Sequence, residues 1–298
     1  MGPPAAGLSD SPPPGEVRIA AGLANSAPPR YAGAMRCITL TTDFGHRDGF
    51  VGIMKGVILS RAPRAVVVDL SHEIAPGDVH AAAFVLMNAH RYFPQGAVHV
   101  VVVDPGVGGP RHALAARTRR AYYVGPDNGV LSWALRQEEG IEVRRIENSD
   151  LFLKPVSRTF HGRDVFAPVA AHLCSGGSFS CVGPGTCDWV RLPWSEPSAS
   201  AMGWSATVVY IDRFGNALTN LPVDLPPAAA AGETRGAFLL KNRHKVRFPL
   251  RPFYGAVPPG RPVAVPGSSG FWELAVHGGS AAATYGLQPG DTVELQLR

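Results

Sequence analysis

Charge is scarce in this chain: 17% of its 298 residues are Asp, Glu, Lys or Arg, and the net charge is only +5. The arginines are scattered instead of forming a basic block, so a nucleic-acid surface has no support and most of them read as solvated. No apolar run reaches membrane-spanning length uninterrupted, and no basic start followed by an apolar stretch marks a signal peptide. A cytoplasmic protein with no membrane or nucleic-acid partner is expected. Cysteine is equally sparse. Cys37 stands alone, and Cys174, Cys181 and Cys187 lie in a Gly/Ser-rich stretch at spacings wider than tight C-x-x-C pairs. They read as thiols of a surface insertion, or as one local disulfide, ahead of a metal site.

Apolar residues make up 45% of the chain, enough at this length for a substantial core and for two domains. Residues 1–34, rich in Pro, Ala, Ser and Gly, are expected to form a disordered tail. From Cys37 to about residue 147, short β-branched runs alternate with longer amphipathic ones. Strands are expected over 37–41, 65–70 and 98–103, and helices over 50–60 and 78–91, with Asp78 placed to cap the second. The third strand is an almost unbroken valine run, as expected when both faces are covered. This alternation predicts an α/β fold, with an N-terminal largely parallel sheet and crossover helices. A strand at 122–124 and a helix at 165–173 complete an N-terminal domain at 35–175. A Cys/Gly/Pro-rich linker follows at 176–203. Within 204–298, strands at 206–211, 236–240, 261–265 and 292–297 with little helix between them predict a β-barrel-like domain. Residues 228–231, after two prolines, read as a loop.

Sites in parallel sheets gather beyond the carboxyl ends of the strands, and Asp43 and Asp104 both stand there. Asp43 either caps the helix starting near Gly49 or binds a ligand, since a carboxylate at a strand end can accept from two ribose hydroxyls. Asp104-Pro105-Gly106-Val107-Gly108-Gly109 has the glycine content of a phosphate loop but neither G-x-G-x-x-G nor a Walker lysine. Its acid would repel phosphate and suit a cationic or hydroxyl-bearing ligand. Arg111 could fold back on Asp104, either as a turn-stabilising ion pair or as part of a site. His161, between Phe160 and Gly162, can exchange a proton near neutral pH. Arg163 and Asp164 after it read as scaffold, one of them capping the next helix.

Two polar turns mark the C-terminal domain, Asp212-Arg213-Phe214-Gly215-Asn216 with Thr219-Asn220, and Ser268-Ser269-Gly270-Phe271-Trp272-Glu273 ahead of Leu274-Ala275-Val276. An Asn carboxamide can pair with a base edge, and Phe271 and Trp272 either stack on a ring or plug the domain interface. Metal ligation by some of Asp43, His46, Asp48, His72, Asp78 and His80 has no H-E-x-x-H or comparable motif behind it. Residue by residue, the pattern reaches a small-molecule enzyme with an acidic, glycine-lined cleft.

Five segments in order carry a more specific resemblance: Thr41-Thr42-Asp43-Phe44-Gly45, Asp104-Pro105-Gly106-Val107-Gly108, Pro126-Asp127-Asn128-Gly129, Phe160-His161-Gly162-Arg163-Asp164 and Asp212-Arg213-Phe214-Gly215-Asn216. From about Cys37 onward the chain resembles the adenosine-forming S-adenosyl-L-methionine (SAM) hydrolases, or SAM hydroxide adenosyltransferases, relatives of the fluorinating and chlorinating SAM enzymes. The resemblance implies a homotrimer, with substrate bound between the N-terminal domain of one subunit and the C-terminal domain of the next. It implies no cofactor, because SAM is the substrate. Asp43 would hold the ribose hydroxyls and Phe160 would line the reaction centre. Asp212 would receive the methionine amino group, and Asn216 would read adenine. The Ser268-Ser269 turn would contact the carboxylate, and backbone near Ala275 would complete the adenine contacts, with Phe214 and Phe271 among the substrate-binding residues.

The hydrolases share an Asp, Arg and His set matching Asp104, Arg111 and His161, which the halogenating relatives lack. Gly162 stands where the fluorinating relative has a fluoride-binding serine. The chain departs from the pattern at His277, where the family usually has Asn or Arg, and in the Cys174–Cys187 region, which looks like an insertion. The implied reaction is attack of water or hydroxide on C5′, giving adenosine and L-methionine. The competing readings are a non-catalytic SAM- or adenosine-binding protein and a SAM-dependent halogenase.

Overall fold

The valine run that ends at Asp104 is an inner strand of a six-stranded sheet. The computed structural model describes residues 37–200, 203–225, 236–240 and 246–297; the tail expected over 1–34 and the loop at 228–231 lie outside them. The strands β1 (Cys37–Thr42), β2 (Val66–Ser71), β3 (Val98–Val102), β4 (Ala113–Arg117), β5 (Tyr122–Pro126) and β6 (Glu142–Arg145) take the order β2-β1-β3-β5-β4-β6. β2, β1, β3 and β5 run parallel, and β4 is antiparallel to both β5 and β6. Helices α1 (Phe50–Arg61), α2 (Val79–Ala89), α3 (Ser132–Leu135) and α4 (Ala167–Cys174) cover the two faces.

The pleat explains why the run is apolar but for His99, whose buried ring bonds to Thr39 Oγ1 at 2.9 Å. Successive side chains of a strand point to opposite faces. Val98, Val100 and Val102 pack with Met54 and Ile58 of α1 and Val169 of α4. Val101 and Val103 pack on the other side with Leu86 of α2 and Leu135 of α3. Each fully buried valine contributes about 1.5–3 kcal/mol. Asp78 caps α2 as expected, accepting from Ala81 N at 2.9 Å, and the helix tightens into a 3-10 turn at His90–Tyr92.

The segment after α4 is fastened to the sheet. Arg145 N donates to Pro184 O and Thr186 N to Val143 O, both at 2.9 Å, so the Cys-bearing stretch covers the exposed edge of β6. No disulfide joins the four cysteines; Cys37 and Cys174 are buried, and Cys181 and Cys187 are exposed.

In the C-terminal half, β7 (Ser198–Ser200) flanks a sheet made of β8 (Gly203–Ile211), β9 (Ala217–Pro222), β10 (Gly236–Leu240), β11 (Arg247–Pro249), β12 (Pro262–Pro266), β13 (Phe271–Val276) and β14 (Thr292–Leu297). Their order is β11-β10-β14-β8-β9-β13-β12, with antiparallel pairing, and a short helix α5 (Ala281–Tyr285) precedes β14. Arg251 N donates to Ala264 O at 2.9 Å, which brings the two ends of the sheet together as a nearly closed barrel. Phe238, Phe248, Trp272 and Leu274 fill it. The two halves meet through aromatic rings, with Phe84 stacked on Tyr210 at 4.9 Å and Trp194 lying 5.1 Å from Trp133 and 5.7 Å from Phe271.

Candidate active site

β1 and β3 are neighbours whose connections leave to opposite sides, so their carboxyl ends open a crevice. Asp43 follows β1, and Asp104 lies just beyond β3. Between them is a cleft of about 400 Å³ lined by Asp43, Phe44, Pro76, Gly77, Asp104, Pro105, Val107, Phe160, His161 and Gly162, among others. That volume is ordinary for a small-molecule site.

Asp43 does not cap α1, whose start has no side-chain cap. Its Oδ2 accepts instead from Gly77 N at 2.9 Å, which fixes the carboxylate at the cleft wall. Across the cleft, Asp104 Oδ1 accepts from Arg111 Nε at 3.0 Å, and its Oδ2 takes a second bond from Arg111 Nη2. This forked pairing has the planar fit that guanidinium and carboxylate share. Arg111 Nη2 also reaches His161 Nδ1 at 2.9 Å. A guanidinium N–H can only donate, so Nδ1 of His161 accepts and its ring proton is on Nε2. Burial first, then the Arg111 charge, holds the His161 pKa below the usual 6.5, against the pull of Asp104 and Asp164.

Glycine geometry brings the two loops together. Gly108 has φ +74°, and a Cβ there would sit 2.1 Å from the carbonyl oxygen of Arg158, so no other residue allows the Asp104 loop this close to the loop that carries His161. Gly162 opens a single π-helical turn (Gly162–Phe166), a rare element that recurs at functional sites. A Cβ at Gly162 would meet Met54 Sδ at 3.1 Å and Phe160 Cε2 at 3.3 Å. Phe160 itself is buried, edge-on to Phe44 and Phe50. Asp164 is fully buried and forked by Arg163, and it accepts from Ser157 N at 2.8 Å, so it braces the 157–164 loop and does not cap α4.

Asn128 is a support that sequence reasoning quoted without giving it a role. Its Nδ2 donates to Val103 O at 2.9 Å, one residue before Asp104, and so ties the end of β5 to the end of β3. Of the residues weighed as metal ligands, His72 is buried between Thr42 and Asp69, and Asp78 is committed to the cap of α2. Among the described residues no group of three or more His, Cys, Asp or Glu is placed to hold a metal ion. No helix of the described residues is long and apolar enough to cross a membrane.

The barrel residues form a second cluster. Asp212 Oδ1 accepts from the backbone N–H of Phe214 and Asn216 at 2.9 and 2.8 Å, and Oδ2 from Asn216 Nδ2 at 3.0 Å. Phe214 is 75% exposed, whereas Asn216 is buried. Ser268 is exposed and the Ser269 Oγ is buried, with no hydrogen-bond partner among the described residues. Ala275 is buried in β13. Phe271 packs on Trp194 at the domain interface, and Trp272 lies in the barrel core. None of these residues lines the cleft at Asp43 and Asp104.

Residues 38–183 match the SAM hydroxide adenosyltransferase N-terminal domain family, and residues 206–294 match the corresponding C-terminal domain family. An (R)-S-adenosyl-L-methionine hydrolase of Thermus thermophilus is 41% identical over 88% of this chain and 100% of its own length. The protein of the same name from Salinispora arenicola is 40% identical over 87% of this chain and 97% of its own. A fluorinase of Actinoplanes stands further off, at 28% identity over 87% of this chain and 96% of its own. The crystal structure of an uncharacterized conserved protein from Thermotoga maritima superposes with a TM-score of 0.80 at 36% identity, covering 87% of this chain and 99% of that one.

Proposed function

Because the chain belongs to the SAM hydroxide adenosyltransferase family, we propose that it hydrolyses S-adenosyl-L-methionine to adenosine and L-methionine at the Asp43–Asp104 cleft. The observation that carries this reading is the hydrogen-bonded run from Asp104 through Arg111 to His161 at the cleft wall. Water attacks C5′ of the ribose in line with the sulfonium, which leaves as a neutral thioether and needs neither an acid nor a metal. Catalysis then reduces to alignment and to polar groups fixed in advance around the moving charge.

Arg111 locks Asp104 and orients the imidazole. His161 Nδ1 is committed to Arg111, so its Nε2–H is the face that can donate to the attacking oxygen. Asp104 keeps lone pairs beyond the Arg111 fork and is the acceptor for the proton that water gives up. Asp43 anchors the ribose hydroxyls, and Phe160 shields the reacting carbon. No cofactor takes part, since SAM is the substrate.

We assign the rest of the site to a neighbouring copy in a cytoplasmic homotrimer. The support is physical: the cleft is lined by the N-terminal half alone, while the barrel half leaves Phe214 of the Asp212–Asn216 turn 75% exposed and Phe253 60% exposed. In that arrangement Asp212 receives the ammonium group, Asn216 pairs with adenine, Ser268 or Ser269 meets the carboxylate, and backbone at Ala275 completes the base contacts.

Incubating metal-stripped protein with SAM, with and without chloride, tests the assignment through its products. Adenosine and methionine in both conditions support it. A 5′-halogenated adenosine makes the protein a halogenase, and tight binding without turnover makes it a binding protein.

A further inference from the structure

Glu273 is an acid inside the barrel wall, only 5% exposed in β13. A carboxylate there must be paired, because burying it alone is far costlier than any packing gain. Its partner is Tyr254, whose Oη donates to Glu273 Oε2 at 2.6 Å. On the other side the carboxyl group lies against Gly267, where a Cβ would sit 2.2 Å from Oε1. Only glycine lets the Ser268–Ser269 turn close over Glu273, and Gly267 N pins that turn to Phe271 O at 2.9 Å.

A third element joins them. Burial pushes the Glu273 pKa up, the Tyr254 hydrogen bond opposes this, and the Asp212 charge adds to the rise; burial, then the hydrogen bond to Glu273 and its charge, and last the Asp212 charge, raise Tyr254. The geometry agrees: β13 pairs with β9, Leu274 opposite Ala217 and Glu273 opposite Leu218, so Glu273 lies next to the strand that leaves the Asp212–Asn216 turn. Along β13, residues 273, 275 and 277 share one face. At its far end His277 Nδ1 donates to Val257 O at 2.7 Å, so the turn Tyr254–Ala256 is held on both sides by one strand. Ala275 packs between these two points against Val257.

We propose that Glu273 is a positioning residue of the barrel half of the site. It fixes the Tyr254 ring and the Ser268–Ser269 turn beside the Asp212–Asn216 turn, and so sets the affinity for S-adenosyl-L-methionine without entering the bond-breaking step. The proposal rests on the hydrolase reading above. Glu273 touches no residue of the Asp104 set, so its loss acts on KM and leaves kcat alone.

The test measures SAM turnover and, separately, SAM binding by calorimetry in wild type, Tyr254→Phe, Glu273→Gln, Glu273→Ala and the Tyr254→Phe/Glu273→Ala double variant. Tyr254→Phe, a half-exposed site that tolerates the change, is expected to raise KM and Kd about tenfold with kcat within about twofold, as loss of a hydrogen bond to a charged group implies. Glu273→Gln keeps an oxygen that can accept from Tyr254, so its KM should stay within about threefold of wild type. The double variant should be no worse than Glu273→Ala alone, because both changes break the same contact. The proposal is overturned if Tyr254→Phe binds SAM like wild type, if kcat falls while KM holds, or if Glu273→Gln is as weak as Glu273→Ala. Wild type that binds SAM without hydrolysing it would instead overturn the hydrolase reading, and the affinities would still decide the role of Glu273.

Discussion

In the N-terminal domain Arg111 bonds both to Asp104 of its own loop and to His161 of a distant one, while in the barrel Asp212 bonds to the backbone and side chain of its own turn. The first cluster needs the whole fold to assemble, because Arg111 and His161 lie 50 residues apart. The second is nearly complete within residues 212–216. A cluster held by distant contacts is rigid once formed, which suits groups that must sit ready around a transition state. A self-contained turn with an exposed aromatic suits a surface that meets its ligand, or a neighbouring subunit, from outside. The difference predicts that damage to the first set falls on kcat and damage to the second on KM.

Gly108→Ala should separate the two most sharply among variants that leave every polar group in place. The added methyl meets the Arg158 carbonyl in a left-handed backbone conformation and pushes the Asp104 loop away from His161. A displacement of about 1 Å is enough to cost about a hundredfold in kcat. Thermal melting alongside the assay shows whether the fold survives, and unchanged kcat in a folded variant would break the comparison. Asn216→Ala comes next. Losing the carboxamide should raise KM about tenfold with kcat within about threefold, and a kcat loss would merge the two clusters into one catalytic unit.

The smallest effect near neutrality is the pH response. His161 must be neutral to accept from Arg111, and its pKa lies below 6.5, so kcat should be flat above that value and fall as pH drops through the lowered pKa. Protonation would set an imidazolium against a guanidinium. The fall should approach about tenfold per pH unit, with the same limb in Asn216→Ala. A limb on the alkaline side instead would mean that the protonated ring is the active form.

Much of this layout is visible in the sequence because strand ends are marked chemically. A valine run that stops at Asp-Pro-Gly announces both a buried strand and the polar group at its carboxyl end, and Asp78 announces the start of α2. β4 is silent, since Ala-Leu-Ala-Ala-Arg has the composition of a helix and is a strand only because β5 and β6 flank it. β13 hides for another reason. An acid in the middle of Phe-Trp-Glu-Leu-Ala-Val reads as a turn until Tyr254 is seen to satisfy it. For the cleft, Asp43, Asp104, Arg111 and His161 are all legible as candidates, and so is the pairing of Arg111 with Asp104, but the bond from Arg111 to His161 is not. Whether Arg111 reaches His161 depends on how closely two loops approach, and that is set by the clearance between Gly108 and Arg158.

The separation of chemistry from binding is tested most directly in Asp104→Ala, with SAM affinity measured by calorimetry and turnover measured on the same preparation. The account predicts turnover reduced by about a thousandfold or more with Kd within about threefold of wild type. An equal loss of affinity and turnover in a folded protein would contradict it, and would make Asp104 a substrate-binding group like Asp43.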